Sequence, residues 1–445
     1  MNLANLPVAV IGAGPVGLAA AAHLVARGAT PLVIEAGPAV GASVSKWGHV
    51  RIFSPWRYDV DAAAAALLGA SGWVRPPDDE HPTGHDLVER YLRPLAALPE
   101  LAPHIRLDTR VVGISRQGLD RTKTDGRARV PFVLRVETDG VATDVLARAV
   151  IDASGTYEAP NPLGGNGLPA VGEAALAERI SYGIPDVLGR ERARYAGRRV
   201  LVVGSGHSAF NVLLDLEALA EAAPGTRIVW AIRREDPTDV FGGGERDQLA
   251  ERGRLGARVR SLVERGVLQL AAGCAITRID ATPAGIVARS GERLLPAVDE
   301  VVAVTGFRPD VAMLRELRVE VDAVVESPRA LAPLIDPNLH SCGSVPPHGA
   351  LELAHPEPDF YVVGMKSYGR APTFLMLTGY EQVRSVACAL TGDDAGARDV
   401  RLVLPETGVC RVDAAQESAA SCCGPASCDA TPVTLERRPR AVPAG

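Results

Sequence analysis

Two glycine-rich turns on one chain constrain this protein more than any other feature. The first is Val10-Ile11-Gly12-Ala13-Gly14-Pro15-Val16-Gly17, and the second is Leu201-Val202-Val203-Gly204-Ser205-Gly206-His207-Ser208-Ala209. Each follows an apolar, β-branched run and opens a helical pattern. Each can therefore set a pyrophosphate on the free amides of a helix N-terminus. Two such turns predict two bound dinucleotides, and a pair of dinucleotides on one chain implies hydride passing between them.

A chain of 445 residues has room for two or three domains. Its 47% apolar and 22% charged content is that of an ordinary globular protein, and a net charge of −6 gives no reason to expect a nucleic-acid partner. Lysine occurs only as Lys46, Lys123 and Lys366, so the positive charge is almost all arginine. The apolar stretch 7–26 imitates a signal peptide or anchor. Its glycines fall where a dinucleotide turn needs them, and no basic segment precedes it. No membrane association and a cytoplasmic location are expected. Seven cysteines are an odd number for a disulfide framework and are expected to stay reduced.

The pattern along the chain predicts an α/β fold with two Rossmann-like dinucleotide-binding domains, the second inserted into the first. Residues 7–36 read as strand, glycine turn, helix and strand, with Gly28 stopping the helix. Residues 61–70 and 84–98 read as helices. Residues 104–151 alternate like antiparallel strands, with turns at Asp125-Gly126 and Asp139-Gly140. After the apolar strand ending in Asp152-Ala153-Ser154-Gly155, the Pro- and Gly-rich segment 158–169 is a linker. The second nucleotide unit follows as strand 199–203, helix 208–222 and strand 227–232. Later strands are expected at 298–306 and 358–364, and a helix at 371–391. These boundaries divide the chain into 1–160 and 301–393, the two parts of one nucleotide domain, around an inserted domain 161–300. A flexible, cysteine-bearing tail occupies 394–445.

At the first turn Gly12 permits the tight bend, Gly14 lets backbone approach phosphate, with Pro15 opening the helix, and Gly17 allows close helix–strand packing. Glu35 ends the second strand, 21 positions beyond Gly14, where a ribose-binding carboxylate belongs. With Asp152-Ala153-Ser154-Gly155 and the later Val304-Thr305-Gly306, this layout resembles the two-dinucleotide flavoproteins. The resemblance implies that the first unit binds FAD. It also implies that Gly155, Gly306 and the late turn at Gly364 lie against the cofactor. In that family an Asp often follows the late glycine, whereas Met365 and Lys366 stand here.

At the second turn Gly204, Ser205, Gly206, His207 and Ser208 are the binding positions, with Ala209 in the third glycine's place. The following strand ends in Arg233-Arg234 rather than in an acid. Two guanidinium groups suit a 2′-phosphate and point to NADPH; the alternative is a solvated strand end.

The flavin's electrons could go to a disulfide, to an external acceptor or to dioxygen. No CxxC or CxxxxC precedes residue 400, which argues against a disulfide reductase; Cys274, Cys342 and Cys388 are isolated. The segment Lys46-Trp47-Gly48-His49-Val50-Arg51-Ile52-Phe53-Ser54-Pro55-Trp56 resembles flavin-containing monooxygenases. So do Gly155-Thr156-Tyr157 with Pro160-Asn161, and the turn Gly204-Ser205-Gly206-His207-Ser208-Ala209. That resemblance implies NADPH-driven reduction of FAD and passage of oxygen, as a flavin C4a-hydroperoxide, to a soft nucleophile. It also makes His49, Arg51 and Trp47 candidates for lining the flavin, with His49 alternatively a structural histidine. One departure is the FxGxxxH fingerprint of that family, which is absent; Tyr182-Gly183-Ile184-Pro185-Asp186-Val187 stands in its place. Asp59 and Asp61 are polar pocket residues or helix caps.

The C-terminal segment carries Cys410 and then Cys422, Cys423 and Cys428. Adjacent thiols with a third at C-C-x4-C spacing suit a soft ion such as trivalent arsenic; zinc with Cys410 as a fourth ligand and incidental thiols are the alternatives. The overall layout with this tail resembles flavin monooxygenases encoded in bacterial arsenic-resistance operons, which implies a small soft substrate such as a trivalent arsenical. A homodimer is an open option. Two competing readings are an NADPH oxidoreductase that does not oxygenate and a thiol-bearing metalloid carrier on a flavoprotein scaffold.

Overall fold

The computed structural model describes residues 3–405 apart from 243, 340–344 and 373. The cysteines at 342, 410, 422, 423 and 428 therefore lie outside the described residues, and with them the predicted thiol site. Two parallel five-stranded sheets organise the rest. The first has the order Phe360–Val362, Ala149–Asp152, Val8–Ile11, Pro31–Ile34, Ile105–Arg106. The second has the order Gln269–Ala271, Arg227–Ala231, Arg199–Val203, Glu300–Ala303, Ile180–Tyr182. Every strand of the second sheet lies between Asp152 and Phe360 in sequence. The fold is therefore α/β with two Rossmann-like units, the second inserted into the first.

Each unit forms because its strands can be buried on both faces. Val8–Ile11 and Ala149–Asp152 are buried at every position, as apolar runs in a parallel sheet must be. The helix Pro15–Ala26 covers the first sheet and is itself covered by Met376–Leu390 and Ala62–Ala70. Asp61 caps Ala62–Ala70, its carboxylate accepting from the Ala64 amide at 2.9 Å, which favours the capping alternative for that residue. In the second unit His207–Ala222 and Ala250–Glu264 pack together, around a core that contains Phe210, Trp230 and Phe241.

Between the nucleotide strands the expected antiparallel meander is present as Thr109–Arg116, Phe132–Thr138 and Val141–Ala147. Asp139 and Gly140 both take positive φ, 49° and 76°, as a two-residue hairpin turn requires. A second meander, Arg278–Thr282, Gly285–Ser290 and Arg293–Leu294, belongs to the inserted unit. The helix expected over 84–98 forms Gly84–Leu87 and Arg93–Ala96 around a π turn at Val88–Leu92, which lies just before Pro94 with its missing donor. The late helix begins at Met376, not at residue 371. Pro372 imitates a first-turn proline, but the chain turns sharply at Gly369 (φ 59°) and only then enters the helix. No described helix is long and apolar enough to cross a membrane.

Candidate nucleotide sites and the strap between them

The two glycine turns are built alike. Gly12 has φ 97°, and a Cβ there would lie 2.8 Å from the Ala153 carbonyl oxygen; Gly204 has φ 136°, and its Cβ would lie 2.3 Å from that of Val304. In each unit, then, the first glycine lets the turn press against the end of the neighbouring strand, in a conformation side chains avoid. The second glycine, Gly14 or Gly206, is the N-cap of its helix, with no side-chain cap and nothing within 4 Å of where a Cβ would stand. That leaves helix-start amides facing open space, which fits a diphosphate at both places. Gly17 permits the closest approach, since its Cβ would lie 1.9 Å from the Gly12 carbonyl oxygen, whereas the second unit accommodates the fully buried Ala209.

Chemistry at the strand ends separates the two sites. Glu35 holds its carboxylate at the first turn, accepting from the amides of Ala13 at 2.7 Å and Gly37 at 2.8 Å. An acceptor fixed there suits ribose hydroxyls. Arg233 and Arg234 are exposed at the end of the equivalent strand, and Arg233 donates to the Gly165 carbonyl at 3.1 Å. Ser205 is exposed and Ser208 half-buried at the start of the second helix.

Behind the first turn lies a buried ion pair that sequence reasoning missed. Lys366 donates to Asp152 at 2.7 Å and to Ser154 Oγ at 3.0 Å, while Ser154 donates from its amide and hydroxyl to the same carboxylate. The two charged side chains are 2% and 0% exposed. Gly364, just before, packs on Val16 in the first helix, 3.3 Å from where its Cβ would be. The late turn is thus tied to the glycine turn by one salt bridge and one close contact. Lys366, at the position noted as a departure and one of only three lysines, was the available signal.

Residues 47–59 form a strap between the units. The strap is bonded to 78–85 of the first unit through Ile52 N to Pro82 O, Trp56 N to Glu80 O and His85 N to Gly48 O. Trp47 lies against Gly84, whose Cβ would come 2.8 Å from the indole. Arg51 is exposed and donates to the His81 carbonyl at 2.7 Å, so it ties the strap to its own unit and is not brought to either glycine turn. His49 is half-buried and turned toward the inserted unit. Burial lowers its pKa, with Asp186, Arg190 and Glu191 as its charged neighbours, and its Nε2 has no partner. Asp59 is fully buried; Ser54 donates to one carboxyl oxygen at 2.7 Å, the other has no partner, and burial pushes the carboxyl up to about 8. It is a neutral acid at neutral pH.

The two crossings between units run side by side. Asn161 N donates to Gly306 O at 2.8 Å and Arg308 N to Ala159 O at 3.0 Å, and Tyr157 stacks on Phe307 at 5.0 Å. Gly155 and Gly306 both sit in these crossings. Among the described residues no cluster of three or more His, Cys, Asp or Glu could hold a metal, and the two free cysteines, Cys274 and Cys388, are buried.

Known proteins place this architecture. The family described as pyridine nucleotide-disulphide oxidoreductase matches residues 9–338. A ferredoxin–NADP reductase of Salinispora tropica is 29% identical over 319 residues, covering 72% of this chain and 79% of that protein. An indole-3-pyruvate monooxygenase, YUCCA8, of Oryza sativa subsp. indica is 29% identical over 222 residues, 46% of this chain and 44% of the other. Among solved structures, the bacillithiol disulfide reductase Bdr (YpdA) from Bacillus cereus superposes with a TM-score of 0.63 at 19% identity, over 87% of this chain and 99% of that one.

Proposed function

This chain belongs to the pyridine nucleotide-disulphide oxidoreductase family, and on that premise we propose that it is an NADPH- and FAD-dependent monooxygenase acting on a soft heteroatom. That it is a flavin-dependent oxidoreductase follows from the family and its relatives. The observation that carries the choice of cofactors is the pairing of two complete dinucleotide turns with opposite strand ends, Glu35 at one and Arg233-Arg234 at the other. An acceptor reads ribose hydroxyls at the first site, where FAD would lie along Gly12–Gly17; two guanidinium groups favour a 2′-phosphate at the second. FAD supplies the redox chemistry when bound. The chain's own residues would hold the diphosphates at the two helix starts and fix the orientation of the two units.

Oxygen transfer rather than disulfide reduction is supported by the absence of any CxxC or CxxxxC before residue 400 and by the YUCCA8 likeness. A soft substrate class, trivalent arsenicals included, rests on the spacing of Cys422, Cys423 and Cys428 in the sequence. The ferredoxin–NADP reductase likeness favours a second reading, in which electrons pass one at a time to another acceptor without oxygenation. Rapid mixing of the NADPH-reduced holoprotein with O₂ separates the two. A long-lived absorbing species distinct from oxidised and reduced flavin, discharged by an arsenite, amine or sulfide, supports oxygen transfer. Direct return to oxidised flavin that no such compound alters, together with fast ferredoxin reduction, overturns it in favour of the second reading.

A further inference from the structure

Only two stretches of chain join the units, and they cross beside each other near 159–161 and 305–308. A double crossing at one place works as a hinge unless contacts elsewhere stop it. The strap makes such a contact. Phe53 leaves the first unit and enters the second, its ring 5.3 Å from that of His207 and 5.8 Å below the guanidinium of Arg252. Both partners are held from behind. Arg252 is clamped to Asp247 by two bonds of 2.6 and 2.7 Å, with side chains 3% and 1% exposed. His207 packs edge-on against Phe210 at 5.9 Å, and Phe210 packs on Trp230. Trp230 in turn donates to the carbonyl of Gly204, at 2.7 Å. The ring of Phe53 is thus joined by contact to the helix start and first glycine of the second nucleotide turn.

The strap is anchored on both sides of Phe53. Ile52 and Trp56, on either side, are bonded to 80–82, and the next turn is fixed by Ser54 on Asp59 and by Tyr380, whose hydroxyl donates to the Asp59 carbonyl at 2.8 Å. Tyr380 belongs to the helix that packs on the first fingerprint helix. A continuous set of contacts therefore runs from one glycine turn to the other through a single aromatic side chain.

We infer that Phe53 is a positioning residue that keys the second unit into one orientation against the first, and so sets where a nucleotide held at Gly204–Ser208 meets the cofactor held at Gly12–Gly17. The kinetic part of this inference rests on the function proposed above; the structural part does not. A ring seated between an imidazole and a guanidinium resists rotation of the hinge, because any turn must withdraw it from both. Hydride transfer needs reacting atoms within a few tenths of an ångström of their working separation, so loss of the key lowers the rate of reduction more than it weakens nucleotide binding.

The test compares F53A, F53L and F53Y in the full chain carrying FAD. Hydrogen–deuterium exchange needs no turnover. In F53A and F53L the amides of 204–212 and 249–256 should exchange faster, while those of 8–26 and 376–390 keep their protection. Flavin reduction at saturating NADPH should slow by about tenfold to a hundredfold, the loss expected of an ångström-scale misplacement, with the NADP⁺ dissociation constant little changed. F53Y, which keeps the ring, should behave as wild type in both measurements. Unchanged exchange in F53A overturns the inference, whatever the kinetics show. Should F53A fail to hold FAD, F53L decides. Faster exchange across the first unit as well would make Phe53 an ordinary core residue and overturn the inference too. A wild-type protein that NADPH does not reduce would overturn the proposed function while leaving the exchange result to stand or fall alone.

Discussion

The two glycine turns share a backbone plan and differ in nearly everything placed around it. Both press a first glycine against a neighbouring strand and leave a helix start open. Beside the first, the neighbouring strand ends in Asp152, sealed in an ion pair with Lys366; beside the second it ends in Ala303 and Val304, with no charge at all. The first allows no Cβ at its third glycine and the second carries Ala209. The first strand end offers a carboxylate, the second two arginines. The shared plan is what any diphosphate needs, while the differences are where the proposed choice between FAD and NADPH would be made.

The largest expected effect breaks the comparison at the ion pair. K366M leaves the Asp152 carboxylate buried without its cation, a change that costs about 3–5 kcal/mol in such settings. Thermal unfolding should show a collapse of stability with loss of FAD, and D152N/K366M should recover most of the melting temperature. An undiminished K366M protein would mean that water reaches Asp152. No equivalent single change exists in the second unit, where the same corner is apolar.

G17A comes next. Its Cβ would stand 1.9 Å from the Gly12 carbonyl oxygen, so helix and strand must part; overpacking of this kind costs roughly 1–3 kcal/mol and here displaces the diphosphate turn itself. The measurement is FAD content after purification, expected to fall severalfold or more. The mirror change, A209G, should cost only about 1 kcal/mol, the helix-propensity difference, and leave FAD content untouched. Equal effects of the two would show that the turns are packed alike after all.

Replacing Arg233 and Arg234 together with Ala sharpens the comparison at the strand ends. A charge-assisted hydrogen bond is worth about 1.5–3 kcal/mol, and two exposed guanidinium groups screened by solvent together contribute about that much, so the ratio of kcat/KM for NADPH over NADH should drop by roughly tenfold to a hundredfold. The NADH value itself should stay near wild type. A parallel fall with both nucleotides would assign the pair to folding.

Much of this comparison was legible in the sequence, and its limits are physical. Glycine spacing, buried β-branched strands and the acid or arginines at strand ends are local patterns, and the turns stand where those patterns put them. The capping of Ala62–Ala70 by Asp61 was one of two stated alternatives. Phe53 on His207, Lys366 on Asp152 and Tyr380 on Asp59 join residues 154, 214 and 321 positions apart, and no periodicity relates them. The burial of Asp59 was hidden for the same reason, since an acid at the end of the short helix Trp56–Asp59 looks solvated until the helix that covers it is in place.

Asp59 and His207 extend the comparison to pH. They lie at opposite ends of the strap contact, and each is held neutral by burial, the carboxyl raised to about 8 and the imidazole lowered to about 4 by burial and by Arg252. Their signs are opposite. The folded state holds a proton on Asp59 that the unfolded chain gives up above its ordinary 3.8, so this group's contribution to stability falls as pH rises from 3.8 to 8. His207 binds its proton less readily folded than unfolded, so its contribution is present above 6.5 and lost as pH falls toward 4. Between 4 and 6.5 the two slopes oppose and largely cancel. From 6.5 to 8 only the Asp59 slope of the two remains, at up to about 1.4 kcal/mol per pH unit, or about 2 kcal/mol across the window. Denaturant unfolding of the holoprotein should therefore show stability declining over that range. D59N keeps the acceptor for Ser54 and cannot ionise. It should be flat from 6.5 to 8, and below 6.5 its stability should fall more steeply with falling pH than that of the wild type, because the opposing Asp59 slope is gone. A wild-type protein with no decline above 6.5 would place the Asp59 carboxyl in contact with solvent and remove the neutral acid from the strap.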